Sequence, residues 1–203
     1  MKHIISTALL ALSLAACSES RPDRSSQVSA GGSNAGCTTR AYEEIGGPFS
    51  LVDQNGSART EADFAGTPAL VFFGFTYCPD VCPITLVKID RALDQVEESK
   101  RPVPILISVD PERDTPEALS RYLSLDAYPD NTVGLTGTPE AIKAAADEFI
   151  ASYSKIPLPD SEAEYTLDHT SLIYLMDENW QLKTFFSYDS SDADIANCLN
   201  DLL

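Results

Sequence analysis

Apolar positions along this chain alternate between two patterns: short uninterrupted runs, and spaced residues that recur every three or four positions. Residues 69–75 (ALVFFGF), bounded by Pro68 and Cys78, and residues 103–109 (VPILISV) are the uninterrupted kind. Runs of this length, rich in aromatic and β-branched side chains, predict strands buried on both faces at the centre of a sheet. Between them, in residues 83–99, apolar side chains at 86, 89, 93 and 96 fall at helical spacing. Val87 widens that stripe and charged residues take the other side, which predicts an amphipathic helix beginning near Pro79 or, as the interior-proline penalty favours, at Pro83. Thr115-Pro116-Glu117 and Thr138-Pro139-Glu140 each place a hydroxyl at a helix cap, a proline at the first helical position and an acid near the positive helix end. They predict one helix to about residue 125 and another over 139–153, with a short strand at 132–135 between them. Upstream, residues 49–53 followed by Gln54-Asn55-Gly56 predict the first half of a hairpin. Downstream of Tyr153 comes a polar, proline-containing loop. Residues 172–176 and 182–188 then read as strands paired through Asp177-Glu178-Asn179, and residues 192–203 as a closing helix. The order β-α-β-α-β-α-β-β-α predicts an α/β domain with an N-terminal β-hairpin and a mixed central sheet flanked by helices.

The N-terminus stands outside this pattern. Lys2 precedes an apolar run at residues 4–16 (IISTALLALSLAA), shorter than the about 20 residues a bilayer span needs, so it reads as a targeting segment. The run ends in Leu14-Ala15-Ala16-Cys17, which is similar to the bacterial lipobox, where the cysteine becomes the lipidated first residue. Residues 1–16 are therefore expected to be a lipoprotein signal peptide and Cys17 a lipidation site; a plain secretory signal that happens to precede a cysteine would export the chain as well. Residues 18–36 are rich in Ser and Gly and carry no apolar period, so 17–36 is expected to be a flexible tether between a membrane and a domain over 37–203. The implied location is the bacterial cell envelope, as a periplasm-facing lipoprotein.

Composition narrows the function classes. At 203 residues, with about 150 per domain as the usual scale, one globular domain is expected. Hydrophobic residues make up 43% and charged ones 22%, which excludes wholesale disorder and a polytopic membrane protein. Lys and Arg number 14 against 31 Asp and Glu, a formal net charge of −17, with no basic stripe to neutralise phosphates. Nucleic acid is excluded as a partner.

Chemistry enters with the cysteines. Cys78 and Cys82 sit in Phe75-Thr76-Tyr77-Cys78-Pro79-Asp80-Val81-Cys82-Pro83, directly after a buried strand and at the mouth of a helix. The partial positive charge of a first helical turn lowers thiol pKa and favours thiolates, which are both nucleophiles and metal ligands. A spacing of four brings two Cα atoms to about 6 Å on one helix face, suiting either a disulfide or two sulfurs on one ion. Closing so small a loop restrains the unfolded chain by only about 2 kcal/mol, so a structural staple explains the pair poorly. His169, in Tyr165-Thr166-Leu167-Asp168-His169-Thr170, is the one histidine left once the signal is removed. Two thiolates and one imidazole form a soft donor set suited to copper, particularly Cu(I), and unsuited to Ca²⁺ or Mg²⁺. A structural zinc site normally closes with four such donors, and three are found here.

Several ordered motifs, GPFSLVDQNG, FFGFTYCPDVCP, DPERDTPE, VGLTGT and DHTSLIYLMD, together resemble the Sco/SenC family of copper chaperones within the thioredoxin-like superfamily. The resemblance covers residues 46–203. It implies a thioredoxin-like fold, Cys78 and Cys82 as copper-binding, redox-active thiols, His169 as third ligand, and one copper per chain. It also implies a role in maturing the binuclear copper centre of a respiratory cytochrome oxidase, by delivering copper or by reducing the target's cysteines. The partners so implied are the copper-centre subunit of that oxidase and other periplasmic copper or thiol-redox proteins. Family members are commonly tethered by a helix, whereas this chain reads as lipid-tethered.

Other positions carry weaker expectations. Asp110, Glu112 and Asp114, with Arg113 among them, read as a solvated, self-paired turn rather than a carboxylate metal site. Asp168 is a candidate to orient the His169 ring, against the objection that adjacent residues of an extended segment point to opposite faces. Phe75 and Tyr77 are expected to wall the site. If Cys17 is lipidated and Cys78 pairs with Cys82, then Cys37 and Cys198 are left over and, in an exported chain, are expected to form a disulfide; two buried thiols or an intermolecular link are the alternatives. The rival function class is a thiol-disulfide oxidoreductase or thiol peroxidase working through Cys78 without copper, for which His169 would be unnecessary.

Overall fold

The structure is a computed structural model that describes Cys37 and residues 45–203. The signal, lipidation and tether expectations on residues 1–36 fall outside the described residues. The two continuous apolar runs become β3 (Ala69–Gly74) and β4 (Val103–Ser108), paired in parallel. They sit at the middle of a seven-stranded sheet with β1 (Ser50–Asp53), β2 (Ala58–Thr60), β5 (Val133–Thr136), β8 (Ile173–Met176) and β9 (Leu182–Phe186), in the order β2-β1-β5-β4-β3-β8-β9. The β3/β4 and β4/β5 pairs are parallel and the others antiparallel, so the sheet is mixed and its N-terminal hairpin lies at one edge.

Alternation along the central strands sends side chains to two cores. Val71, Phe73, Ile105 and Ile107 face one side, where Ile142, Ala145 and Ala146 of α3 (Pro139–Glu148) cover them. Leu70, Phe72 and Leu106 face the other side, covered by α1 (Val81–Leu93), α2 (Pro116–Leu123) and α4 (Asp192–Leu202). Burial on both faces is why these strands carry no polar alternation. Thr115 and Thr138 cap their helices as expected, accepting from the backbone N–H of Ala118 and Ala141, with proline at the first helical position.

Three expectations are corrected. Helix α1 begins at Val81 rather than Pro83, because the third residue of a helix donates no intrahelical bond and a proline there loses nothing. It ends at Leu93; Val96 is buried, but in the turns that follow. Helix α3 ends at Glu148, short of residue 153, where Ile150 adopts φ 52° and the N–H groups of Ala151 and Ile150 return to the carbonyls of Ala146 and Asp147. That is the hydrogen-bond pattern of a Schellman stop, built on a β-branched residue where glycine is usual.

The third correction bears on the site. The expected loop after Tyr153 contains two strands, β6 (Tyr153–Pro157) and β7 (Tyr165–His169), which pair with each other as a separate two-stranded sheet. Strand β6 alternates little, with Tyr153 partly buried and residues 154–157 exposed, so it carries no burial signal. Cys37 and Cys198 are joined by a disulfide with Cα atoms 5.3 Å apart, fastening a residue ahead of the sheet to α4 across 161 positions.

Candidate metal centre

Strand β3 ends at Gly74, and the chain turns through residues 75–80 into α1. The turn is pinned from below by Asp114, which is fully buried and accepts from the Thr76 N–H at 3.0 Å, the Thr76 hydroxyl at 2.6 Å and the Ser108 hydroxyl at 2.6 Å. Burial pushes the Asp114 carboxyl up, against the three hydrogen bonds that favour its charge. A closing bond from the Cys78 N–H to the Phe75 carbonyl (3.2 Å) sets the first cysteine at the lip of the helix. Cys82 occupies the second position of α1, and its otherwise unused N–H donates to Cys78 Sγ at 3.3 Å. The electrostatic benefit of a helix start thus reaches Cys78 as a specific hydrogen bond.

His169 approaches from the other side, on the last residue of β7. Alternation explains its aim: Tyr165, Leu167 and His169 share one strand face, Leu167 is buried in the main core, and Asp168 between them is exposed. Asp168 therefore does not orient the ring. That role falls to Thr170, whose carbonyl lies 3.1 Å from His169 Nδ1. A carbonyl can only accept, so Nδ1 carries a proton and Nε2 is the ring nitrogen that faces the cysteines, 3.7 Å from Cys82 Sγ. Phe75 stacks edge-on against the imidazole with centroids 5.8 Å apart, walling the site, while Tyr77 beside it is 59% exposed.

The ligand atoms of Cys78, Cys82 and His169 all lie within 4.8 Å of one another, the one cluster of this kind among the described residues. Neither cysteine is in a disulfide; Cys82 is buried and Cys78 half-buried. The Cys82 thiol hydrogen-bonded to it, assisted by His169 and by the backbone N–H groups of Cys82 and Asp80, lowers Cys78 to about 4 in spite of partial burial. The same hydrogen bond, then burial and the charge on Cys78, drive Cys82 far upward. The pair shares one proton, held on Cys82, leaving a thiolate on Cys78. Two sulfurs and one imidazole nitrogen, without a carboxylate among them, make a soft, three-donor set that fits copper.

Gly74 is a site residue that the sequence reading misses. A Cβ there would stand 2.8 Å from Cys82 Sγ and 3.1 Å from Leu106 Cδ1, so the strand end must be bare for the buried sulfur to fit. A signal exists: a glycine inside an apolar strand run marks a close approach. The acidic segment is also corrected. Asp110 and Asp114 are buried rather than solvated, Asp110 pairing with Arg113 at 2.5 Å and accepting from the Tyr165 hydroxyl at 2.7 Å. Asp114 holds the cysteine turn and Asp110 reaches the histidine strand.

Comparison with known proteins agrees with this geometry. The chain is similar to a "SCO2-like protein" of Rickettsia felis, 38% identical over 162 residues, covering 78% of each chain. Its fold matches Arabidopsis thaliana ScoI with copper bound, with a TM-score of 0.72 and 36% identity over 77% of this chain and 96% of the other. It also matches Bradyrhizobium japonicum ScoI with copper bound, with a TM-score of 0.69 and 41% identity over 78% and 99%. The sequence profile of the SCO1/SenC family matches residues 38–203, and with its two thiols and imidazole on a thioredoxin-like frame this chain belongs to that family.

Proposed function

We propose that this chain is an exported, membrane-tethered copper chaperone that binds one copper through Cys78, Cys82 and His169 and helps mature the binuclear copper centre of a respiratory cytochrome oxidase. The convergence of the three donor atoms within 4.8 Å carries this reading, supported by two copper-bound ScoI relatives of similar fold. The lipobox-like Leu14–Cys17 segment and the Ser/Gly-rich stretch after it support a lipid tether facing the periplasm. The client is the copper-centre subunit of the oxidase, with other periplasmic copper or thiol-redox proteins as further partners.

Copper is cargo here, so the site must hold it and release it. Thiolate and imidazole donors provide affinity, and the half-exposed Cys78 gives a client's own thiolates a place to begin exchange. Reduction of a client is open to the same pair: the Cys78 thiolate attacks the client disulfide, Cys82 gives up its proton and displaces the client sulfur, and two electrons pass as the Cys78–Cys82 disulfide forms. The Cys78 thiolate supplies the attacking sulfur for this second activity, although a thiolate stabilised this strongly makes the pair a weaker reductant. The deciding experiment is a titration of reduced and oxidised protein with Cu(I) and Cu(II). One copper per chain in the reduced form and none held tightly in the oxidised form is expected, because a disulfide sulfur has no thiolate charge to donate. Tight copper on the oxidised protein, or none on the reduced protein, overturns the reading.

A further inference from the structure

The two halves of the metal centre belong to different sheets. Cys78 and Cys82 hang from β3 and α1, inside the seven-stranded frame, whereas His169 ends β7, whose only ladder partner among the described residues is β6. His169 is tied to the frame by the three-residue link to Ile173 of β8, which pairs with Phe72 of β3, while the far end of β7 is held to the cysteine turn by side chains. Besides Leu167 in the core, the crossing contact is built around Arg113, in the loop after β4.

Arg113 is largely buried, and each part of its guanidinium meets something relevant. Nε pairs with Asp110 Oδ2 at 2.5 Å in its own loop. Nη1 donates to the carbonyls of Ala163 and Tyr165, both at 3.1 Å, at the start of the histidine strand. The guanidinium plane lies over the Tyr165 ring at 3.8 Å and the Tyr77 ring at 4.6 Å, with Phe75 at 5.9 Å, so one cation contacts the residue next to Cys78 and the strand that carries His169. Nη2 is buried with no hydrogen-bond partner, a cost accepted where the cation is packed among aromatic rings. Tyr165 closes the loop by donating its hydroxyl to Asp110 Oδ1 at 2.7 Å. An outer ion pair, Lys155 to Glu112 at 2.6 Å, joins the same two segments but is half-exposed and contributes little.

We infer that Arg113, locked by Asp110 and Tyr165, is a positioning residue that sets the reach of His169 to the cysteine pair and thereby the balance between Cu(II) and Cu(I) binding. Tyr165 and His169 share a face of one five-residue strand, so fixing one end fixes the aim of the other. Cu(I) tolerates coordination by two sulfurs, while Cu(II) requires the nitrogen donor, so a displaced hairpin harms Cu(II) binding first. Planarity and the forked donors matter as much as charge, so lysine cannot replace this arginine fully. The functional consequence rests on the copper-binding reading; the positional one does not.

The test compares the full chain with Arg113→Ala, Arg113→Lys and Tyr165→Phe by two readouts. The first is affinity for Cu(I) and for Cu(II), with the thiolate-to-copper absorption of the Cu(II) form. The second uses metal-free protein and measures NMR cross-relaxation between the Phe75 and His169 rings. In Arg113→Ala, Cu(II) affinity is expected to fall by about 10-fold or more, with Cu(I) affinity far less affected and the cross-relaxation between the two rings abolished. Arg113→Lys should recover part of both, and Tyr165→Phe should shift both in the same direction by less. A variant that melts earlier but keeps the parent Cu(II) to Cu(I) ratio and the parent cross-relaxation overturns the inference, leaving Arg113 a purely structural residue. Should Arg113→Ala fail to fold, parent-like values in both other variants overturn it equally. If the parent binds no copper, the proposed function fails, and the ring cross-relaxation alone still decides the role of Arg113.

Discussion

The cysteine side and the histidine side of this centre are built by different means. Cys82 is fixed by the frame: a helix turn, a bare glycine beneath its sulfur and two central strands with hydrogen bonds on either side. His169 is fixed by a two-stranded ribbon whose placement rests on Leu167, the Arg113 contacts and the Thr170 carbonyl. The first arrangement is cooperative with the global fold. The second rests on a few side chains and on the short link from His169 to β8.

The hardest way to break the comparison is to remove a sulfur. Cys78→Ser or Cys82→Ser is expected to abolish tight binding of both copper states, since one thiolate cannot replace the chelate; retention of either state in a metal titration would show that the frame side is not the anchor. Removing the nitrogen should separate the two sides. His169→Ala is expected to lose most of the Cu(II) thiolate-to-copper absorption while weakening Cu(I) binding far less, and equal loss of both states would make the two sides one unit.

A third variant loads the frame side without replacing a ligand. Gly74→Ala forces a methyl group against Cys82 Sγ and Leu106, an overpacking expected to cost about 1–3 kcal/mol in denaturant unfolding; an unchanged midpoint would mean that the sulfur has room to move. The mildest probe is pH. With Cys78 lowered to about 4, it is a thiolate throughout the neutral range, so its alkylation rate should be flat from neutral down toward about 5 and fall as pH drops through about 4. A rate that instead climbs with pH toward 9 would show that Cys82 does not stabilise the charge.

How much of this is legible in the sequence follows from how each part is stabilised. Strands β3 and β4 are buried on both faces and therefore announce themselves as apolar runs, and the Thr-Pro-Glu signals locate the starts of α2 and α3 because caps are local chemistry. Helix α1 starts two residues ahead of its expected position because Pro83 looks like a helix start when it is only tolerated in the first turn. The donor residues themselves stand out by type and spacing. What the sequence hides is the ribbon that carries His169, since β6 has no buried face to pattern, and the role of the acidic segment, since Asp110 and Arg113 are buried with partners from other segments, Tyr77 and Tyr165 among them. Local chemistry is written locally, while the relation between two sheets is written in side chains distant along the chain.

Strand β7 also has a parity. Odd positions 165, 167 and 169 face the body of the protein and even ones face out, so a slip of a single residue would turn the imidazole to solvent and offer the carboxylate of Asp168 to the sulfurs instead. A soft nitrogen donor would be exchanged for a hard oxygen in one step, with no substitution at all. Within Tyr165–His169, an insertion or deletion that keeps the donor set must come in pairs, so this stretch of the ribbon is free to evolve in composition but not in single-residue length.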